Sequence, residues 1–195
     1  MPMRLFTAVD LDDVVRRAIG VEQRRLASGI DPDGRLKWID PNRLHVTLVF
    51  LGEVADAEAV RIVELMTSDI DAPPFEVVFG HLGVFPPRGV PRALWLGIGE
   101  GARELGGLER LVKERLRPVA LRLEERPLSA HLTLARWRSA RRSDRARALA
   151  MDGQAVIARA RIGHVTLYRS RLSSSGPTYT ALARATLRSC LPLSS

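Results

Sequence analysis

The chain has 195 residues, 46% of them hydrophobic and 27% charged, a net charge of +8 and a sequence pI near 11.0. That length suits one domain with a substantial core, and the balance is that of a folded globular protein rather than a disordered or fibrous one. A single cysteine, Cys190, excludes an internal disulfide and a cysteine metal cluster. No apolar stretch is long enough to span a bilayer, and no basic-then-apolar leader opens the chain, so a cytoplasmic protein without membrane contact is expected.

Taken in order, Arg4 to Leu11 reads as a strand, and Asp12 to Ala27 as an amphipathic helix with Asp12 or Asp13 at its N-cap. Ser28 to Lys37, with its Asp31-Pro32-Asp33-Gly34, reads as turn material. A strand from Arg43 to Gly52 is followed by a helix from Asp56 to Met66. Phe75 to Gly83 and Arg92 to Ile98 then form strands joined by a Pro/Gly-rich tip.

Ala102 to Leu116 has the clearest helical period, and Leu128 to Trp137 returns to strand. Ser139 to Met151 is a short helix rich in arginine. Its basic face fits either solvent or RNA phosphates. One long strand is expected from Ala155 to Arg169, and Tyr179 to Leu187 closes the sheet. Hairpin-linked strands without strict βαβ alternation predict an α+β protein with largely antiparallel sheets.

The tetrad His-x-Thr-Leu occurs three times, at His45, His131 and His164, and uses three of the four histidines. Residues i and i+2 of a strand share a face, so each copy offers an imidazole and a hydroxyl to one surface. Two facing copies would supply an acid, a base and neutral donors to phosphate oxygens without a metal. A single copy alone reads as structural and it is the repetition that points to chemistry; the fourth histidine, His81, reads as a strand residue.

The net positive charge favours a polyanionic partner. All but Lys37 and Lys113 of the 30 basic residues are arginine. That bias suits bidentate phosphate binding, and the codon usage of a GC-rich genome would produce it as well.

The flanks separate the three copies. His45-Val46-Thr47-Leu48-Val49-Phe50-Leu51-Gly52 and Arg126-Pro127-Leu128-Ser129-Ala130-His131-Leu132-Thr133-Leu134-Ala135-Arg136 resemble the two motifs of the RNA 2′,3′-cyclic phosphodiesterases. These enzymes, also called 2′-5′ RNA ligases, belong to the two-histidine phosphoesterase superfamily. Leu128 and Ala130 depart from the Phe and Pro usual there. Arg4 to Asp10, Arg92 to Gly97, Leu167 to Ser170 and Gly176 to Tyr179 resemble further family segments, so the likeness runs through nearly the whole chain.

The resemblance implies one two-lobed domain over residues 1–195, with two pseudo-symmetric sheets flanked by helices around a central cleft. It implies hydrolysis of an RNA 2′,3′-cyclic phosphate end to a 2′-phosphomonoester, with His45 as acid on O3′ and His131 as base. Thr47 and Thr133 would bind the non-bridging oxygens and Arg136 the phosphate, with no cofactor or metal. The reverse reaction would join a cyclic end to a 5′-hydroxyl in a 2′-5′ bond without ATP.

Arg136 lies an odd five residues past His131, so it reaches the cleft only if the strand twists, bulges or ends there. Phe50 is a candidate surface for stacking the terminal base, although its apolar strand favours a core position. His164 falls outside the family's pair and reads as structural. The expected partner is RNA, with no obligate protein partner and a monomeric state. A small cyclic nucleotide as substrate, or an RNA-binding module without turnover, remain alternatives; a zinc site is disfavoured by the lack of nearby acidic or cysteine ligands.

Overall fold

A computed structural model of the chain describes residues 2–123, 128–153, 156–173 and 176–189. Cys190, the Arg126-Pro127 pair of the second motif, and Ala155 at the start of the expected long strand lie outside these. The elements run β1 (Met3–Asp10), α1 (Asp13–Ile30), β2 (Leu36–Trp38), a 3-10 turn (Pro41–Arg43), β3 (His45–Val54), α2 (Asp56–Leu65), β4 (Ile70–Asp71), β5 (Phe75–Phe85) and β6 (Ala93–Ile98). Then come α3 (Ala102–Leu116), a 3-10 turn (Arg117–Val119), β7 (His131–Trp137), α4 (Arg142–Leu149), β8 (Ala158–Ile162), β9 (His164–Ser173) and β10 (Gly176–Arg188).

Two five-stranded sheets result, ordered β3-β1-β9-β10-β4 and β2-β7-β6-β5-β8. All pairings are antiparallel except β10 with β4. This is the expected α+β architecture.

Local chemistry accounts for the helix starts. Asp12 caps α1 by accepting from the Val15 amide at 2.8 Å. The stripe Val15, Ile19, Leu26 and Ile30 is buried. α3 begins after Gly101, whose φ of 83° is left-handed and where an added Cβ would sit 2.3 Å from the Glu76 carbonyl oxygen. Only glycine fits that corner.

The helices cross between sheets. α1 leaves the first sheet and packs on β8 of the second, where Gln23 donates to the Ile39 and Leu134 carbonyls. α3 leaves the second sheet and packs on β3 of the first. β3 and β7, the strands carrying the first two tetrads, lie against each other between the two sheets.

Several expectations need correction. The stretch expected as one strand up to Arg169 is two, β8 and β9, which part at Gly163 and enter different sheets. The apolar positions change parity at Gly163, from Ala158, Ala160 and Ile162 to Val165 and Leu167, and that phase slip marks the change of sheet. Leu36–Trp38 is an edge strand on β7 rather than turn, and α1 runs on to Ile30. β7 starts at His131, with Leu128 to Ala130 outside the strand. β10 does not close its sheet, because the two-residue β4 lies beyond it.

Candidate active site

A cavity of about 620 Å³ opens between the sheets, and all six residues singled out from the motifs line it: His45, Thr47, Phe50, His131, Thr133 and Arg136. His164 does not line it, and His81 lies on β5 away from it. Phe50 is 47% exposed, so the core alternative for it is wrong. Arg4 stacks over its ring, 4.9 Å from the centroid.

The two histidines are held alike. Nδ1 of His45 lies 2.9 Å from the Arg43 carbonyl oxygen, and Nδ1 of His131 lies 2.6 Å from that of Ser129. Each partner is two residues upstream, where the chain enters the strand. A carbonyl oxygen only accepts, so each Nδ1 carries the hydrogen and Nε2 is left as the basic atom of the neutral ring.

Aromatic rings wall both imidazoles. Phe6 and Tyr179 have centroids 5.1 and 5.2 Å from that of His45, and Phe85 lies 4.9 Å from His131. Trp95, 5.9 Å from His131, lies flat over Gly83, where any Cβ would overlap the indole.

Burial pushes the His45 pKa below the usual histidine value, and Arg16 adds to that. The Arg43 carbonyl and the Asp10 carboxylate pull the other way.

The bulge that Arg136 requires is present. In the β6–β7 ladder Trp95 faces Thr133 and Leu94 faces Ala135, which leaves Leu134 as the extra residue. Leu134 and Ala135 are buried in succession, and Arg136 returns to the face of His131 and Thr133. β3 does the same: Ala8 faces Thr47 and Thr7 faces Val49, with Leu48 as the extra residue.

Among the described residues neither threonine hydroxyl is spent on a protein acceptor, and Arg136 has no carboxylate partner. Two imidazoles, two free hydroxyls and a guanidinium thus meet at one cavity, which can bind a phosphate and move protons on either side of it.

The motifs did not reveal the rest of the lining. Arg4, Arg43 and Lys37 add positive charge from both sheets, and none of the described lining residues is acidic. Tyr179, like Tyr168 close by, stands in a segment quoted for the family likeness but given no role there. The arginine-rich helix α4 is not part of the lining; its Arg145 donates to the Pro86 and Gly89 carbonyls, and its Asp144 pairs with Arg35 at 2.7 Å.

The chain's motifs, fold and paired His-Thr strands fit one class, and the family comparison agrees: residues 12–189 match the model of the 2′-5′ RNA ligase superfamily, to which the chain belongs. An RNA 2′,3′-cyclic phosphodiesterase of Archaeoglobus fulgidus is 39% identical over 134 residues, covering 69% of this chain and 72% of that protein. Its counterpart in Methanothermobacter thermautotrophicus is 33% identical over 182 residues, covering 92% and 96%. Among solved structures, E. coli LigT complexed with 3′-AMP superposes with a TM-score of 0.73 at 25% identity, covering 96% of this chain and 99% of that one. No described helix is long and apolar enough to cross a membrane.

Proposed function

We propose that this protein hydrolyses RNA ends carrying a 2′,3′-cyclic phosphate to 2′-phosphomonoesters, without metal or cofactor. The observation that carries the reading is the matched clamp on His45 and His131. Each Nδ1 is tied to a backbone carbonyl, which leaves two Nε2 atoms for one cavity.

His131 takes a proton from water as its oxygen attacks phosphorus. The bond from phosphorus to O3′ breaks, and His45 gives O3′ its proton. His131 ends protonated and His45 neutral, and exchange with solvent resets both. Thr47 and Thr133 donate to the non-bridging oxygens, whose charge grows in the transition state; one such donor contributes on the order of 3 kcal/mol. Arg136 grips the phosphate with its planar fork. Phe50 offers a ring for the terminal base.

By microscopic reversibility the same groups join a cyclic end to a 5′-hydroxyl as a 2′-5′ linkage, the lesser activity in water. The names of the relatives support the substrate, and the cation-lined cavity, with no acidic residue among its described lining, favours RNA over a small cyclic nucleotide. We take the chain to be one two-lobed domain that acts as a cytoplasmic monomer with no obligate protein partner.

The test is His45→Ala and His131→Ala, assayed separately on a cyclic-phosphate oligonucleotide and on a cyclic mononucleotide. Each variant is expected to lose hydrolysis while keeping most RNA binding. Wild-type turnover in the double variant would end the enzyme reading, and turnover of the mononucleotide alone would move the substrate to the small-molecule class.

A further inference from the structure

The third His-x-Thr-Leu tetrad is the one motif that this chemistry leaves unused, and its side chains converge on a single carboxylate. Thr166 Oγ1 donates to Asp10 Oδ2 at 2.6 Å, and His164 Nε2 lies 3.1 Å from the same oxygen. The Tyr168 hydroxyl donates to Oδ1 at 2.6 Å, and an Arg184 nitrogen stands 3.7 Å from Oδ2. The Asp10 side chain is only 10% exposed. A charge so far from water persists only if its oxygens are satisfied, and β9 satisfies both from alternate positions on one face. Burial alone would raise the Asp10 pKa; the hydrogen bonds from His164, Thr166 and Tyr168 outweigh it and bring it to about 2. Asp10 is therefore ionised wherever a histidine titrates.

Asp10 is the direct ladder partner of His45 in the β1–β3 pair. Directly opposed residues in an antiparallel sheet have Cα atoms about 5 Å apart. The corresponding partner of His131 in the β6–β7 pair is Gly97. The two histidines share the carbonyl clamp, the companion threonine and the bulge. They differ here: the ladder partner of one is a carboxylate and that of the other is a glycine.

We infer that Asp10 is a positioning residue that keeps the His45 imidazolium available as the proton donor, and that His164, Thr166 and Tyr168 serve the reaction by holding that carboxylate. This rests on the acid role given to His45 above. The groups around His45 are Asp10 from β1, Arg16 from α1, Tyr168 from β9, Tyr179 from β10 and His131 across the cavity. The Arg43 side chain is drawn away to the Pro177 carbonyl, and Arg184 of β10 faces Asp10. Asp10 is the only carboxylate in this group, and it opposes both Arg16 and burial.

The test is Asp10→Asn in the full chain, with two readouts: the His45 titration midpoint by NMR, and kcat/KM for a cyclic-phosphate oligonucleotide against pH. An opposite charge this close moves a pKa by a unit or more, so the midpoint should fall and kcat/KM above neutrality should drop about tenfold. That loss should vanish toward low pH, where His45 is protonated in both proteins. Arg16→Gln removes the opposing cation and should raise the same midpoint, which keeps the question answerable if Asp10→Asn does not fold. An unmoved midpoint with an equal loss at every pH would reduce Asp10 to a structural group and overturn the inference. A gain in activity at low pH would overturn it too, since it would make His45 the base. The NMR readout needs no turnover, so failure here is separable from failure of the proposed activity.

Discussion

Phe50 and Arg136 occupy the same step of their two strands, five residues past His45 and His131, and both reach the cavity because each strand bulges at the third residue past its histidine. The pseudo-symmetric frame thereby presents an aromatic ring at one position and a guanidinium at its counterpart. On the proposed reading that difference gives the cavity a direction, with a wall for stacking the base on the β3 side and a grip for the phosphate on the β7 side.

The proposed role of Arg136 uses fork geometry as well as charge. Arg136→Lys keeps the charge and loses the second parallel hydrogen bond, so kcat/KM on a cyclic-phosphate oligonucleotide should fall by roughly tenfold, with Arg136→Ala lower still. Steady-state kinetics at fixed ionic strength checks this. Equal activity in the lysine variant would mean that only the charge is used.

Thr47→Val and Thr133→Val remove one hydroxyl each at nearly constant shape. Each should lower kcat by about a hundredfold or more, with the unfolding temperature little changed. A loss confined to KM would place the threonines in ground-state binding alone.

His45 titrates below the ordinary histidine value of about 6.5 because burial penalises its charged form. A phosphomonoester product binds best to the protonated ring. Its affinity should therefore tighten as pH falls from the raised His45 midpoint of the complex to the lower midpoint of the free protein, and level off below that. NMR titration with and without a 2′-nucleotide reads both effects, and a free-protein midpoint at or above 6.5 would contradict the account.

Asp10 also bears on stability. Its folded pKa of about 2 lies below the ordinary aspartate value of 3.8, so its contribution is fully present above the unfolded value and is lost as pH falls through about 2. The shift corresponds to about 2 kcal/mol. Denaturant unfolding at neutral pH and in acid should show this difference in the wild type and a smaller one in Asp10→Asn.

The motif residues were legible because a period of two and a repeated tetrad report which side chains share a face. The flanks then chose His45 and His131 over His164. Strand parity, taken literally, pointed Arg136 away from the cleft; it cannot see a bulge, which depends on the partner strand. Gly163 breaks the expected long strand where its apolar positions shift from even to odd numbers, a phase slip legible in the sequence, and the two halves join different sheets. Asp10 ends an apolar run in the sequence, and its three partners lie more than 150 residues away on β9. Only the ladder that brings β9 beside β1 makes them one cluster.

The most direct measurement is incubation of the purified protein with an RNA oligonucleotide ending in a 2′,3′-cyclic phosphate, in excess EDTA, with the product identified by phosphorus NMR. The account predicts turnover in chelator and a single 2′-phosphomonoester. A 3′-phosphate product, or activity that returns only on adding metal, would contradict proton transfer to O3′ by a histidine pair.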